Sequence, residues 1–187
     1  AHPHQRNDEL NARRIAQAKA AAKLMNRLGV KIASFYPGYK VDDRPWDDVL
    51  RDTVATINEL TAVASAAGVT FAIEPHFNTP VQTVDQIRKL FAALPGLRIA
   101  YDPSHFAMQR INLRDTAFML DRTVHVHVRD AAPDKMCVPP GTGTVDFKWL
   151  LSALKKRGYD AFVTIEYLPG GEGSAESQIA AMRNMLG

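Results

Sequence analysis

The sequence predicts an α/β chain of the (β/α)8-barrel type, carrying five of the eight βα units that such a barrel closes with. Three observations lead there. Strand-like and helix-like segments alternate without a break, a pattern that gives parallel strands joined by right-handed crossovers. The strand-like segments are apolar nearly throughout, as strands buried on both faces are. Four of them stop at an ionisable residue: VTFAIEPH at Glu74, LRIAYDPSHF at Asp102, VHVHVRDA at His127 and AFVTIEYLP at Glu166. The carboxyl ends of barrel strands are where active sites sit.

Each element has its own signal. Residues 8–28 predict a helix, with Leu10, Ile15, Ala18, Ala22, Met25 and Leu28 roughly on one face and Gly29 as its stop. Residues 31–36 (KIASFY) predict a strand ended by Pro37-Gly38. A second helix spans 46–67, with Val49, Val54, Ile57, Leu60 and Val63 as its stripe and Gly68 as its stop. A strand follows at 69–73, a helix at 83–94, a strand at 97–101, a short helix at 113–120 and a strand at 124–128. A loop at 131–144 contains Pro139-Pro140-Gly141-Thr142-Gly143. A helix at 146–157, a strand at 162–165 and a helix at 174–186 complete the order. No linker or low-complexity tract interrupts it, so 1–187 reads as one domain.

A full barrel of this type takes about 250 residues, and this chain opens on a helix with no strand before it. The expectation is a barrel that lacks its first three βα units. It is then either a fragment of a longer protein or a chain whose open edge is covered by a second copy or another partner, because unpaired strand edges invite association.

Composition narrows the class. With 46% hydrophobic and 23% charged residues among 187, the chain can build a globular core. The net charge of +3 comes from scattered Lys and Arg. No like-charge block reads as a nucleic-acid tail, so the basicity is assigned to solvated helix faces, with some attraction for an anionic or phosphorylated substrate. Cys137 is alone, which excludes an internal disulfide. No apolar stretch reaches the ~18 residues of a membrane span. The first ten residues lack both an initiator Met and the apolar centre of a secretion signal. A cytoplasmic location is expected. His2 and His4 read as a frayed terminus rather than ligands.

Glu74, Asp102, His127 and Glu166 offer three carboxylates and one imidazole, a mixed set that suits a divalent metal. Mn is the first choice, with Mg, Co or Zn as alternatives. Such an ion leaves positions for a sugar carbonyl and its neighbouring hydroxyl, polarises the carbonyl and stabilises the enediolate formed on proton loss. A general base must take that proton, and Glu74 and Glu166 are the candidates. Return of the proton to the opposite face gives epimerisation. Return to the adjacent carbon gives aldose–ketose isomerisation, and departure of a β-substituent gives elimination. The constellation alone does not choose among the three.

Blander readings stand beside these. A carboxylate at a strand end often caps the next helix, and Asp102 before Pro103-Ser104 is the best case for that. His76 lies two residues after Glu74 on the same face and reads as pocket wall or substrate contact. Arg129 and Asp130 either orient His127 or a substrate, or form a loop salt bridge. His125 is expected to face away from His127, as a buried histidine under a helix. Trp46 and Trp149 read as packing, and Gly141 and Gly143 as turn geometry ahead of phosphate binding. Cys137 has no catalytic role.

Several motifs carry a family resemblance. AIEPHFNT (72–79) looks like a strand with a first glutamate ligand, YDPSHF (101–106) like an Asp-x-x-His strand, and VHVHVRDA (124–131) like a His-x-His-x-x-Asp strand. PPGTGTVDF (139–147) looks like a Pro-Gly-x-Gly loop, and GYDAFVTIEY (158–167) like a last strand with a final glutamate ligand. In this order and spacing the set resembles the xylose isomerase-like TIM barrels, and within them the sugar phosphate isomerase/epimerase group that includes the D-tagatose 3-epimerases. The resemblance implies that Glu74, Asp102, His127 and Glu166 hold the metal and that His105 contacts substrate beside it. It implies a metal-dependent isomerase or epimerase acting on a small sugar or keto-sugar. The tagatose epimerases carry a sugar-reaching Arg shortly after the strand His, and here Arg129 stands closer, within RDAAPDK.

The alternatives are a lyase on the same scaffold, of inosose or dehydroshikimate dehydratase type or a keto-sugar β-eliminase, and a non-catalytic or partner-dependent barrel subunit. A phosphodiesterase of endonuclease IV type needs more His ligands and a basic stripe along a nucleic-acid backbone, and neither is present.

Overall fold

The computed structural model describes residues 5, 7–39, 43–166 and 174–186. His2 and His4, and Tyr167 in the last motif, lie outside the described residues. The chain divides into two compact units, Ala1–Arg98 and Ile99–Gly187.

In the first unit, helix α1 (Asp8–Leu28) is followed by strand β1 (Ile32–Phe35), α2 (Trp46–Ala66), β2 (Thr70–Ile73) and α3 (Val84–Ala93). Local chemistry sets the boundaries. The Asn7 side chain accepts the Leu10 N–H at 2.8 Å to open α1. Gly29, at φ 70°, takes the left-handed conformation that closes it. Thr83 and Gln86 form a capping box at the start of α3. Strands β1 and β2 pair in parallel, with Phe35 opposite Ile73. Ala18, Ala22 and Met25 of α1 pack with Ala64, Val69 and Phe71, joined by Ala33 and Phe35. The alanines let the helix approach closely, so the buried stripe runs through 14, 18, 22 and 25. Leu28, expected on that stripe, is instead 68% exposed in the last turn before Gly29.

In the second unit the order is β3 (Ile99–Tyr101), α4 (Ser104–Ala107), β4 (Thr123–Val128), α5 (Phe147–Lys156), β5 (Val163–Ile165) and α6 (Ala175–Leu186). Strand β4 pairs in parallel with both β3 and β5. Ile99, Tyr101, Val126 and Val128 are fully buried. The Tyr101 hydroxyl lies 2.7 Å from Thr116 Oγ1, and burial pushes its pKa upward. Asp146 caps α5 by accepting the Trp149 N–H at 3.0 Å, and Phe147, Leu150, Ala153 and Leu154 form its buried face.

Two expectations change here. The segment expected as a short helix at 113–120 is a 3-10 stretch, Leu113–Arg122. Asn112 accepts the Arg114 N–H, and the Thr116 hydroxyl donates to Leu113 O at 2.6 Å, and both bonds favour the tighter winding. His125 does not face away from His127. Their rings lie 4.8 Å apart, edge to face, and both are half-buried. Residues i and i+2 of a strand share a face, so the two imidazoles stand on one side of β4 while Val126 and Val128 fill the other. His125 Nε2 sits 3.2 Å from Thr164 Oγ1 on the neighbouring strand.

Candidate metal centre

The second unit brings Asp102, His127 and Glu166 together. Asp102 follows the last residue of β3, His127 is the fifth residue of β4, and Glu166 follows the last residue of β5. The parallel ladder aligns them. His127 is in register with Thr164 and Val128 with Ile165, and the Glu166 N–H donates to Val128 O at 2.9 Å. Each of the three offers a ligand atom within 4.8 Å of the others. His127 Nδ1 and Glu166 Oε2 are 3.7 Å apart. Ligands at about 2.0–2.3 Å from one ion stand up to about 4.6 Å from each other, so two carboxylates and an imidazole at this spacing fit a divalent cation after small side-chain adjustments.

Arg129 organises the trio. Its side chain is 5% exposed. Nη2 donates to Asp102 Oδ2 at 2.7 Å, Nη1 to Glu166 Oε1 at 3.0 Å and Nε to Ser104 Oγ at 2.8 Å. The guanidinium therefore spans both carboxylates, in the fork geometry for which Arg is suited. Of the readings open for Arg129, this geometry is an ion pair with two candidate ligands. Burial of Asp102 opposes its ionisation, but Arg129, His105 and Ser104 outweigh that and hold its carboxyl below the usual carboxylate range. The capping reading of Asp102 also has substance, because Oδ1 accepts the Ser104 N–H at 2.8 Å. One oxygen serves the backbone turn and the other faces Arg129.

His105 is fully buried, with Nε2 3.4 Å from Asp102 Oδ2 and 3.2 Å from Arg129 Nη2. Asp130 was open to an orienting role toward His127. Its carboxylate instead accepts the N–H groups of Ala131, Gly141 and Gly143 at 2.8–2.9 Å, with Val145 at 3.4 Å. The glycine-rich loop thus wraps a carboxylate of its own chain, which bears out turn geometry over phosphate binding. A β-carbon on Gly143 would run into the Asp130 carboxylate and the Ala131 carbonyl.

In the first unit, Glu74 follows the last residue of β2 and is half-buried. Its N–H donates to Phe35 O at 2.8 Å and so continues the ladder. Phe71 and Ile73 are buried on the opposite face of the strand. His76 lies two residues on, with its ring 5.5 Å from Tyr36 and 4.9 Å from Phe77. Trp46 donates to Pro80 O at 2.9 Å and lies beneath the Lys89 ammonium, so it packs as expected. Ser104 and Tyr36 did not stand out in the sequence. Tyr36 is marked by the same strand-end position that singles out Glu74.

Comparison with known proteins establishes the family and the fold. The xylose isomerase-like TIM barrel family matches residues 2–185. An inosose dehydratase of Lactiplantibacillus plantarum is 27% identical over 152 residues, covering 66% of this chain and 47% of that protein. The chain thus spans about half the length of that relative. A D-tagatose 3-epimerase-like protein superposes with a TM-score of 0.81 at 18% identity, over 98% of this chain and 71% of the other. The zinc-bound IolI protein superposes with a TM-score of 0.78 at 21% identity, over 96% of this chain and 70% of the other. At these identities the two structures establish the fold, in which the five βα units seen here form part of a TIM barrel. The chain belongs to the xylose isomerase-like TIM barrel family.

Proposed function

We propose that the chain carries the metal site of a sugar isomerase or epimerase, with Glu74, Asp102, His127 and Glu166 as the ligands. The observation that carries this is the convergence of Asp102, His127 and Glu166 at the ends of three paired strands, with both carboxylates held by Arg129. Glu74 is assigned as the fourth ligand because it leaves the end of its strand as the other two carboxylates do. Mn, Mg, Co or Zn suits this donor set, and the IolI neighbour binds zinc.

A divalent ion held here supplies Lewis-acid polarisation of a sugar carbonyl. The protein's own groups do the rest. One of Glu74 and Glu166 takes the proton from the carbon beside that carbonyl, and the other returns it. Arg129 keeps Asp102 and Glu166 oriented, so their geometry is set before substrate arrives. His76 is the substrate contact. His105, expected as a substrate contact, is fully buried with its Nε2 against Asp102 and Arg129, and is assigned instead to positioning them.

A second reading has a specific observation behind it: the relative named inosose dehydratase. The same proton abstraction followed by loss of a β-hydroxyl is a dehydration. The two are separated by incubating the full chain with Mn and a panel of ketoses and keto-cyclitols in deuterated water. Deuterium at the carbon next to the carbonyl without loss of water supports isomerisation or epimerisation. Loss of water to a conjugated product supports dehydration. Neither change, with stoichiometric metal bound, contradicts both.

A further inference from the structure

The charges on the first unit's two long helices are distributed unevenly. The acidic residues of α1, Asp8 and Glu9, lie in its first turn. From residue 10 to residue 28 it carries Arg13, Arg14, Lys19, Lys23 and Arg27 and no carboxylate. Arg27, in the last turn, complements the helix dipole. Lys19 and Lys23 stand further up the helix, where that effect has faded. Helix α2 is the counterpart. Its acidic residues, Asp47, Asp48, Asp52 and Glu59, lie in its first two-thirds, and residues 60–66 (LTAVASA) carry no charge.

The two helices lie side by side, because each leads into one of the paired parallel strands β1 and β2. A furrow of about 770 Å³ runs between their C-terminal halves. Lys19, Lys23 and Arg27 of α1 form one wall, and Ala62, Val63 and Ala66 of α2 form the other. The furrow has a firm base. Ala18, Ala22 and Met25 pack with Ala64, Val69 and Phe71 in the core below it. Asn26 Nδ2 donates to Ala67 O at 2.8 Å and ties the two helix ends together. The seat is therefore formed before anything enters it, which lowers the ordering cost of binding.

Charge says what fits there. Among the described residues, no carboxylate pairs with Lys19, Lys23 or Arg27. At a rise of about 1.5 Å per residue, cations at i, i+4 and i+8 stand about 6 Å apart along α1. A second helix with Glu at every fourth position repeats at the same spacing. Its small and aliphatic residues rest on the alanine wall, where short side chains let two helices pack closely. An acidic helix thus matches both walls. A single-stranded nucleic acid matches the cations alone, because alanines give its bases no ring to stack on. A second copy of this chain is a poorer match. On α2, Asp48 already pairs with Arg51 at 2.8 Å and Asp52 with Arg44 at 2.7 Å.

We propose that the furrow between α1 and α2 is a docking site for an acidic amphipathic helix of a partner protein, held by Lys19, Lys23 and Arg27 and seated on Ala62, Val63 and Ala66. Helix-in-groove recognition of this kind draws affinity from the apolar seat, and orientation and association rate from the charges. The site stands apart from the sugar-enzyme reading, since all six residues lie on helices of the first unit and none is a candidate ligand.

Fluorescence anisotropy on the full chain tests this. The probe is a labelled helical peptide with Glu at every fourth position and Leu and Ala between, and its counterpart carries Lys in place of Glu. The acidic peptide is expected to bind and the basic one is not. Lys19→Gln/Lys23→Gln/Arg27→Gln should weaken binding about tenfold through loss of three surface pairs. Added salt should weaken the wild type and leave that variant nearly unchanged. Ala66→Trp fills the furrow without touching a charge and should weaken binding at least as much. Both variants change exposed positions, so thermal melts and metal content like the wild type's separate loss of the site from loss of folding. Failure of the acidic peptide to bind, or equal binding by the wild type and both variants, overturns the site. Binding of an oligo-thymidylate in place of the peptide, lost in the Gln variant, overturns the acidic helix as the occupant in favour of a nucleic acid. Self-association of the wild type that both variants abolish, without peptide binding, overturns it in favour of a second copy.

Discussion

The units Ala1–Arg98 and Ile99–Gly187 repeat the same strand–helix alternation but fill their interiors differently. Among the described residues, the first unit buries alanines, Met25, Phe71 and several threonines, with Arg14 as its one buried charged side chain. The second buries Asp102, Arg129, Asp130 and His105. Apolar packing tolerates loss of a partner by partial collapse, whereas a buried charge without its partner has no comparable relaxation. Charge kept inside the second unit at that cost is concentrated at the strand ends, where the candidate ligands are. The difference separates apolar packing, which holds the fold, from the buried charge that orients Asp102 and Glu166.

Breaking the charged interior should have the largest effect. Arg129→Met leaves Asp102 buried beside an apolar side chain, and a loss of about 3–5 kcal/mol in urea unfolding is expected. Combining it with Asp102→Asn should cost clearly less than the sum of the two single changes, since the interaction is then already gone. Additive losses would mean that the pair is not a unit.

The apolar interior provides the counterpart. Phe71→Ala, which removes a ring packed between α1 and α2, is expected to cost about 3 kcal/mol. A second substitution at Met25 should add to it in part, because the two share one cluster. Metal affinity should be unchanged by Phe71→Ala and reduced by Arg129→Met. If Phe71→Ala alters metal affinity as much, the division between fold and site fails.

The smallest effect lies at a surface cap. Asp146 accepts the Trp149 N–H, which is the main cause of its lowered pKa, with Arg114 adding to it. A carboxylate with a depressed folded-state pKa contributes stability that is present above its unfolded value, near 4, and is lost as pH falls through the folded value. Asp146→Ala should therefore cost at most about 1 kcal/mol at neutral pH, screened by solvent, and nothing in strong acid. Thermal melts at pH 7 and pH 2 check this.

Much of this was legible in the sequence, for identifiable reasons. Hydrophobic patterning located each strand to within two residues because each is a short apolar run bounded by a turn or a polar residue, even where, as in β1 and β5, the strand is only partly buried. The strand-end rule picked out Asp102, His127 and Glu166 because the ladder brings successive strand ends together. Arg129 was seen, but its partners were not. A long side chain on a loop reaches several neighbours, and spacing does not say which carboxylate it meets. Asp130 was misjudged for a related reason, because its partners are backbone N–H groups up to fifteen residues away. The assignment of His125 failed on parity, since a period of two puts positions 125 and 127 on one face. Tyr36 escaped notice because an aromatic residue beside a Pro-Gly turn reads equally well as strand or packing, and only register sets Tyr36 beside Glu74.

Metal stoichiometry tests the central claim most directly. The purified full chain, dialysed with Mn or Zn and analysed for its elements, should hold about one equivalent of metal. His127→Ala and Glu166→Gln should each hold little, while His125→Ala, on the same face of β4 but one step back along the strand, should retain it. Equal, stoichiometric metal in the wild type, His127→Ala and Glu166→Gln would contradict the account.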